Sequence, residues 1–173
     1  MTPDIVIIGS GIGGATVASA LAGNGAKIVI LERGERMPQI PETRDTLAVF
    51  GRGYFRPKEM WREAGGERFN PGNFYYVGGN SKLYGAVLLR YRKEDFAELE
   101  HMGGLSPAWP FSYEELEPWY TAAEQLFQVR GTLGEDPTEP FHSKPYAYPP
   151  VPDEKPIARA REELKGLGLH PST

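Results

Sequence analysis

The chain has 173 residues, a length that suits one domain or part of a larger protein. Its formal net charge of −4 argues against a nucleic-acid or anionic-membrane surface, because such surfaces need clustered Lys and Arg. With no cysteine and only 3 histidines, the sequence offers too few ligands for a zinc, haem-thiolate or iron–sulfur site.

The N-terminal segment predicts the start of a Rossmann-like α/β fold. A continuous apolar, β-branched run over residues 4–8 favours a parallel strand buried on both faces. Glycines follow at once, then a helix of small residues that ends near Gly23 or Gly25, and a second buried strand over 27–31. This order and size are typical of one βαβ unit. The run over 5–8 is too short for a signal peptide or a membrane span, so we expect a cytoplasmic chain.

Regular structure is harder to predict between residues 35 and 104. Prolines and glycines interrupt residues 35–73, where we expect a long excursion with short helical pieces over 45–50 and 58–61. A short strand is predicted over 74–77, and a short helix over 93–101. His101, His142 and His170 have no partners at catalytic spacing and are expected on the surface or in loops.

The clearest later helix lies in the stretch FSYEELEPWYTAAEQLF. Ser112 and Glu115 match a capping box, and Pro118 is expected to restart the helix at its first position, with Gly131 ending it. The apolar face, predicted to pack on its own domain, consists of Leu116, Trp119, Tyr120, Ala123, Leu126 and Phe127. Residues 137–156 hold seven prolines and predict an extended path, and an amphipathic helix follows from Ile157.

The glycine-rich turn after the first strand carries the strongest functional signal. Its sequence, GSGIGG, fits the dinucleotide motif G-x-G-x-x-G in the required strand–turn–helix context. Gly9 permits the tight turn, Gly11 lets the backbone approach a pyrophosphate, and Gly14 lets helix and strand pack closely. Glu32 ends the next strand, where its carboxylate would accept ribose hydroxyls and repel the 2′-phosphate of NADP. The predicted contacts are Gly9, Ser10, Gly11, Ile12, Gly14, Glu32 and Arg33, with a solvated Arg33 as an equal alternative.

This motif leaves FAD and NAD both open. An NAD-dependent Rossmann domain should continue to alternate strand and helix after the second strand. Here a Pro- and Gly-rich excursion intervenes before the stretch VGGNS, an organisation typical of flavoproteins. By itself, the pair Gly78-Gly79 would favour an ordinary β-turn.

Three stretches together resemble the glucose–methanol–choline family of FAD-dependent alcohol and sugar oxidoreductases. The first is DIVIIGSGIGGATVASALAGNGAKIVILERG. The second is similar to the family pattern GG-x-S-x-x-N-G-x-x-x-x-R, with Gly78, Gly79, Ser81, Gly85 and Arg90 in register. The third, SPAWPFSYEELEPWYTAAEQLFQVRG, is similar to the segment that opens the family's substrate-side region.

The resemblance implies a second set of cofactor contacts. Gly78, Gly79, Asn80 and Ser81 would lie beside the flavin and pyrophosphate, and Tyr84 and Gly85 near the isoalloxazine ring. Two positions depart from the pattern: Tyr84 replaces the usual Asn, and Leu83 replaces the His that attaches flavin covalently in some members. The expected cofactor is therefore non-covalent FAD.

The resemblance also implies what these residues lack. Family members use a His base near the C-terminus of a chain about three times as long, and no position here matches that motif. We therefore expect an FAD-binding segment over 1–92, the start of a substrate region over 93–173, and a need for further sequence or a partner chain. The expected substrate is a small alcohol or sugar, with no nucleic acid and no membrane span. The alternatives are a non-catalytic nucleotide-binding or interaction module, or a fragment of an NAD-dependent dehydrogenase.

Overall fold

The computed structural model describes residues 2–85 and 87–173. The chain divides into two compact units, Met1–Ala86 and Val87–Thr173. The functional division predicted from the sequence, 1–92 and 93–173, stays a prediction.

The first unit opens with the predicted βαβ arrangement. Strand β1 covers Ile5–Ile8, helix α1 covers Ile12–Leu21, and strand β2 covers Ile28–Leu31. The two strands are parallel and in register from the pair Ile5–Ile28 to the pair Ile8–Leu31. The prediction of a Rossmann-like start is therefore confirmed, because a parallel pair needs such a helical crossover.

The expected burial of both strands on both faces is wrong. Ile8 is 87% exposed, and Val6, Val29, Ile30 and Leu31 are also exposed. Within the described residues this sheet has two strands. A parallel strand becomes buried on both faces only when strands flank it and helices cover each side, so two strands and α1 cannot exclude water.

The excursion after β2 builds its own small core. A 3₁₀ turn, Pro41–Arg44, leads into a single π turn, Leu47–Gly51, close to the helical piece expected over 45–50. Val49, Phe55 and Phe74 form the buried centre. The strand expected over 74–77 is reduced to one parallel bridge between Glu35 and Tyr76.

The helical piece expected over 58–61 is wrong. Trp61–Arg62 is strand β3, which pairs antiparallel with β4, Arg68–Phe69. The cause is a turn in which Gly66 has φ of 88° and donates to the Glu63 carbonyl. This turn brings the rings of Trp61 and Phe69 to 6.4 Å, a favourable edge-to-face contact.

In the second unit, the helix expected over 93–101 forms only in its first half. A 3₁₀ turn covers Lys93–Phe96. The chain then forms a hairpin of β5, Leu99–His101, and β6, Gly104–Ser106. Gly104 has φ of 144°, which closes the hairpin and which other residues rarely adopt.

Helix α2 covers Tyr113–Phe127 and begins at the predicted capping box. The Ser112 side chain accepts from the Glu115 N–H, and the Glu115 side chain accepts from the Ser112 N–H. The predicted restart at Pro118 is wrong, because the helix is continuous through it. The proline ring leaves the Glu114 carbonyl without its helical donor, and Glu114 is exposed, so water can satisfy it. The helix ends before Gln128, which has φ of 56°, and not at Gly131.

The buried face of α2 was also predicted wrongly. Trp119 is 71% exposed, and Leu126 and Phe127 are exposed as well. The helix instead buries four residues spaced i, i+4, i+8 and i+11: Tyr113, Glu117, Thr121 and Glu124. This stripe lies roughly a third of a turn from the apolar one, given 100° per residue.

The proline-rich stretch follows an irregular path, as expected, with one isolated bridge between Tyr148 and Arg130. Pro156, the last proline of that stretch, lies in the first turn of helix α3, Lys155–Gly166. This position suits proline, because its missing N–H would have no partner there. The amphipathic helix expected from Ile157 is confirmed.

Candidate nucleotide-binding site

The glycine-rich turn between β1 and α1 requires glycine at two positions for different reasons. Gly9 has φ of 89°, a conformation that side chains with a Cβ rarely adopt. A Cβ on Gly14 would lie 2.1 Å from the Gly9 carbonyl oxygen. Gly11 then caps α1 without a side-chain hydrogen bond, and the first turn of α1 carries no acidic residue. Its N–H groups are therefore oriented to receive an anion.

Glu32 is held against this turn by hydrogen bonds to both of its carboxylate oxygens. Its Oε2 accepts from the Ser10 N–H at 2.9 Å and from the Ser10 hydroxyl at 2.5 Å. Its Oε1 accepts from the Gly34 N–H at 2.9 Å. These bonds, with the Ser10 hydroxyl first, lower the pKa of Glu32 to about 2. The carboxylate is therefore charged and fixed at the end of β2.

The second glycine pair lies against the first turn. Gly78 and Gly79 have φ of 94° and 55°, so both are in the left-handed region. The Gly78 N–H donates to the Ser10 hydroxyl oxygen at 2.8 Å, across 68 residues of sequence. A Cβ on Gly11 would lie 3.9 Å from the Gly78 carbonyl oxygen, and one on Gly79 would lie 3.9 Å from the Gly11 Cα. Two segments singled out separately in the sequence therefore meet in space.

The N–H groups of this second loop are mostly in use within the chain. Besides the bond from Gly78 to Ser10, the Gly79 N–H donates to the Tyr76 carbonyl at 2.7 Å, and the Ser81 N–H to the Gly78 carbonyl at 3.3 Å. The loop therefore has few free N–H donors, and what it offers a ligand is close approach to backbone that carries no side chain. Its contact with a cofactor stays a prediction.

The remaining residues predicted from the resemblance lie at the edge of this arrangement. The Asn80 side chain accepts from the Phe74 N–H at 2.8 Å, so it stabilises the loop itself. Tyr84 is 56% exposed. A Cβ on Gly85 would meet no described atom within 4 Å. Neither observation places Tyr84 or Gly85 in contact with the two glycine loops.

Arg33 has two partners beside Glu32. Its guanidinium stacks over the Tyr75 ring, with the central carbon 3.7 Å from the ring centroid. One of its nitrogens lies 3.4 Å from a carboxylate oxygen of Glu59. Such an arrangement favours one planar orientation of the guanidinium. A cofactor contact of Arg33 remains a prediction.

The second unit contains a buried charged group that sequence patterns did not predict. We call it the Arg90 cluster; its members are Arg90, Tyr113, Glu117, Thr121 and Glu124. The Arg90 side chain is 2% exposed, and it forks onto Glu124 with distances of 2.6 and 2.7 Å. Further bonds reach the Tyr113 hydroxyl at 2.9 Å, the Thr121 hydroxyl at 3.1 Å and Glu117 at 3.1 Å.

Electrostatics explains why this cluster is stable when buried. Burial alone would lower the pKa of Arg90, but hydrogen bonds to Glu124, Tyr113 and Glu117 outweigh it and raise that pKa. The Ser143 N–H, and then Arg90, lower the pKa of Glu117 to about 2. A polar stripe spaced i, i+4, i+8 and i+11 was visible in the sequence, but the apolar stripe beside it looked like the better candidate for burial.

His142 lies in a loop, as expected, but its side chain is not on the surface. Its side chain is 3% exposed, and among the described residues neither ring nitrogen has a well-oriented hydrogen-bond partner, although Glu139 lies at 3.2 Å. Burial, together with the charge of Arg90, lowers the pKa of His142. His142 therefore packs as a neutral ring, edge-on to Tyr146 at 5.4 Å.

No group of three or more His, Asp or Glu that could hold a metal ion occurs among residues 2–85 and 87–173. In the same part of the chain, no helix is both long and apolar enough to cross a membrane.

Comparison with known proteins agrees with the position of the glycine turn. A family described as an NAD(P)-binding Rossmann-like domain matches residues 7–39. Paromamine 6'-oxidase from Streptomyces fradiae is 33% identical over 149 residues, covering 80% of this chain and 26% of that protein. The large subunit of fructose dehydrogenase from Gluconobacter japonicus is 29% identical, over 86% of this chain and 32% of that protein. The chain thus spans less than a third of the length of either relative.

A solved structure supports the same fold. The crystal structure of pyridoxine 4-oxidase from Mesorbium loti matches with a TM-score of 0.52 and 24% identity, over 96% of this chain and 32% of that one. The relatives match 72% to 96% of this chain, and their names describe oxidases and dehydrogenases. The resemblance to the glucose–methanol–choline oxidoreductases is therefore confirmed, because relatives of that type match most of this chain.

Proposed function

We propose that this chain is the FAD-binding part of a flavin-dependent oxidoreductase that oxidises CH–OH groups of alcohols or sugars. The observation that carries the proposal is the meeting of two glycine loops, around Gly11 and Gly78, beside the fixed carboxylate of Glu32. A dinucleotide has anionic phosphates between two rings, and it needs close backbone approach at the phosphates and an acceptor at the ribose. Both requirements are met within one short stretch of surface.

The residues present fit FAD better than NADP. The charge of Glu32 would repel a 2′-phosphate, which FAD lacks. In the proposed complex, Gly11 and the N-terminus of α1 hold the pyrophosphate, Glu32 binds the adenosine ribose, and Gly78 and Gly79 pack beside the flavin side of the cofactor. The chemistry that FAD supplies when bound is acceptance of a hydride from the carbon of the CH–OH group.

The proton acceptor for that reaction is not among the matched positions of this chain. The resemblance assigns it to a histidine in a C-terminal region, and the chain spans 26% to 32% of the length of the relatives named above. We propose that turnover needs that further sequence, in the same polypeptide or in a partner, and that the 173 residues alone bind and orient the cofactor.

The test is a binding comparison on the purified 173-residue chain. We expect FAD to raise the melting temperature and flavin absorbance to stay with the protein through gel filtration, whereas NADP has no effect. Glu32→Gln should weaken FAD binding roughly tenfold, because a hydrogen bond to a charged acceptor is lost. Arg159→Gln, on the exposed face of α3, serves as the control and should bind like the wild type.

Two outcomes would contradict the proposal. If neither the melting temperature nor the retained absorbance responds to FAD, the chain does not bind the cofactor by itself. If NAD stabilises the chain and FAD does not, the second candidate is favoured: a fragment of an NAD-dependent dehydrogenase, in line with the description of the family that matches residues 7–39. No response to any of the three nucleotides would favour an interaction module.

A further inference from the structure

Ser10 contacts two segments that are distant from it in the sequence. It lies between the first two glycines of the turn, and its hydroxyl donates to Glu32 Oε2 at 2.5 Å. The same hydroxyl oxygen accepts from the Gly78 N–H at 2.8 Å. A serine hydroxyl has one donor and can accept as well, so both capacities are used here. The dinucleotide motif itself places no requirement on this position.

We propose that Ser10 is a positioning residue that joins the phosphate-binding turn, the ribose-binding carboxylate and the second glycine loop into one pre-formed site. We call the series Gly78 N–H to Ser10 hydroxyl to Glu32 Oε2 the Ser10 clip. The proposal rests on the proposed function, because its consequence for binding requires that the chain bind FAD. Its structural part stands on the two hydrogen-bond distances of 2.5 and 2.8 Å alone.

The first half of the clip fixes the carboxylate. Ser10 supplies two of the hydrogen bonds to Glu32, and both end on Oε2. Oε1 accepts from the Gly34 N–H, and a carboxylate oxygen can accept two bonds. One oxygen is therefore filled and the other keeps room for one more donor, such as a ribose hydroxyl. The clip thus decides which oxygen of Glu32 faces the ligand.

The second half of the clip sets the distance between the two glycine loops. The Gly78 carbonyl lies within 3.9 Å of a Cβ position on Gly11. Within its own loop, Gly78 is bonded to Ser81 through its carbonyl oxygen, so its N–H is the group that reaches toward the first turn. Without the Ser10 hydroxyl, that N–H loses its acceptor and the loop loses this link to the turn.

Preorganisation of this kind reduces the ordering that a ligand must impose when it binds. The clip joins three segments whose positions a dinucleotide would otherwise have to select. The loss of one hydrogen bond to a charged group should therefore weaken FAD binding by roughly tenfold or more. The substitution Ser10→Ala removes this bond by taking away a single oxygen atom, and it leaves the backbone of the turn intact.

Two sets of measurements test the clip, and the first needs no cofactor. Hydrogen exchange and carboxyl NMR titration on the full chain report the Gly78 amide and the pKa of Glu32. In Ser10→Ala we expect faster exchange at Gly78 and a higher pKa for Glu32. Ser10→Thr keeps the hydroxyl and should restore both, and Ser19→Ala, an exposed serine of α1, should match the wild type.

Glu32→Gln gives an independent route if Ser10→Ala does not fold. Glu32 contacts Ser10 and not Gly78 in the described hydrogen bonds, yet a weaker acceptor should loosen the Ser10 hydroxyl. Exchange at Gly78 should therefore accelerate in Glu32→Gln. If the folded Glu32→Gln variant shows unchanged hydrogen exchange at Gly78, the Ser10 clip is overturned.

The second measurement is FAD affinity from flavin fluorescence. We expect the dissociation constant to rise roughly tenfold in Ser10→Ala and to recover in Ser10→Thr. If Gly78 exchange and the Glu32 pKa both stay at wild-type values in Ser10→Ala, the clip is overturned. If they change but the affinity does not, the positioning role is overturned. Failure of the wild type to bind FAD would reject the proposed function, while the measurements without cofactor still decide whether the clip exists.

Discussion

The glycine turn of the first unit and the Arg90 cluster of the second are both built on charged groups held by hydrogen bonds. They differ in what determines them. The turn depends on backbone conformations that only glycine adopts readily, at positions a few residues apart. The Arg90 cluster depends on side chains up to 34 residues apart, which compensate one another once buried. The glycine turn can be recognised from a short stretch of sequence, because its required residues are close together. The Arg90 cluster cannot, because its charged side chains lie far apart in the sequence and stabilise one another only after folding brings them together.

The comparison also explains the orientation of α2. An apolar stripe normally faces the interior because its burial is favourable and the burial of charge is not. Here Arg90 supplies the compensating charge and five hydrogen-bond donors, so the polar stripe is buried and Trp119 is left exposed. One arginine outside the helix therefore decides which face of the helix is inside.

The largest effect should come from removing that arginine. In Arg90→Met, Glu117 and Glu124 stay buried without their cation, and breaking a buried pair in this way costs about 3–5 kcal/mol. Urea unfolding followed by tryptophan fluorescence measures the loss. The matched control is Arg159→Met, whose exposed partner Glu163 lies 2.8 Å away, and which should change stability by less than about 0.5 kcal/mol.

A small effect of Arg90→Met on stability would contradict this account of α2. It would mean that the polar stripe of α2 does not depend on Arg90 and that the helix can present its apolar face instead. Near-ultraviolet circular dichroism distinguishes this repacking, because Trp119 would then enter an ordered environment.

The next largest effect on stability is expected in the glycine turn, where Gly14→Ala is compared with Gly13→Ala. Gly14→Ala places a Cβ 2.1 Å from the Gly9 carbonyl oxygen, a backbone atom that cannot move aside cheaply. We expect a loss of about 1–3 kcal/mol or more, together with weaker FAD binding. Gly13→Ala meets no atom within 4 Å and lies inside α1, where alanine is the better helix former by up to about 1 kcal/mol.

Thermal unfolding of both variants measures this difference. Opposite signs for Gly14→Ala and Gly13→Ala support a steric requirement at Gly14 alone. Equal destabilisation of the two variants would show that the turn is sensitive to any added side chain.

Much of the first unit could be predicted from the sequence, because its signals are local. The βαβ order, Gly9, Gly14 and Glu32 follow from spacing that one strand and one helix impose. The hairpin at Trp61 was missed because it depends on the turn at Gly66 and on a partner strand several residues away. Ser10 was predicted as a cofactor contact, but its bond to Gly78 could not be, because 68 residues separate the two. The exposed Ile8 was missed because the run over residues 4–8 looks the same whether or not its neighbours are present.

A smaller effect is expected at the start of α2, where a local signal lies within the otherwise unpredicted second unit. Ser112→Ala removes the side-chain cap that accepts from the Glu115 N–H, and such a loss costs about 1 kcal/mol. Ser172→Ala, an exposed serine near the end of the chain, is the control and should be neutral. Differential scanning calorimetry on both variants measures the shift. A neutral Ser112→Ala would show that the Arg90 cluster alone determines where α2 begins.

The last effect is the pH dependence of stability, and it tests what the two regions share. Glu32 and Glu117 both have a pKa of about 2 in the folded chain, against an ordinary value of 4.5. A lowered pKa means that each carboxylate contributes stability that is present above about 4.5 and is lost as the pH falls toward 2. The main cause is the Ser10 hydroxyl for Glu32 and the Ser143 N–H for Glu117.

The free energies of unfolding of Glu32→Gln and Glu117→Gln, measured at a series of pH values, should therefore differ from that of the wild type at pH 6. Both differences should shrink below about pH 4.5. A difference that persists unchanged to pH 2 would show that the variant perturbs packing and not a charged hydrogen bond. If the difference persists at only one site, the two sites differ in their physical chemistry as well as in how easily the sequence predicts them.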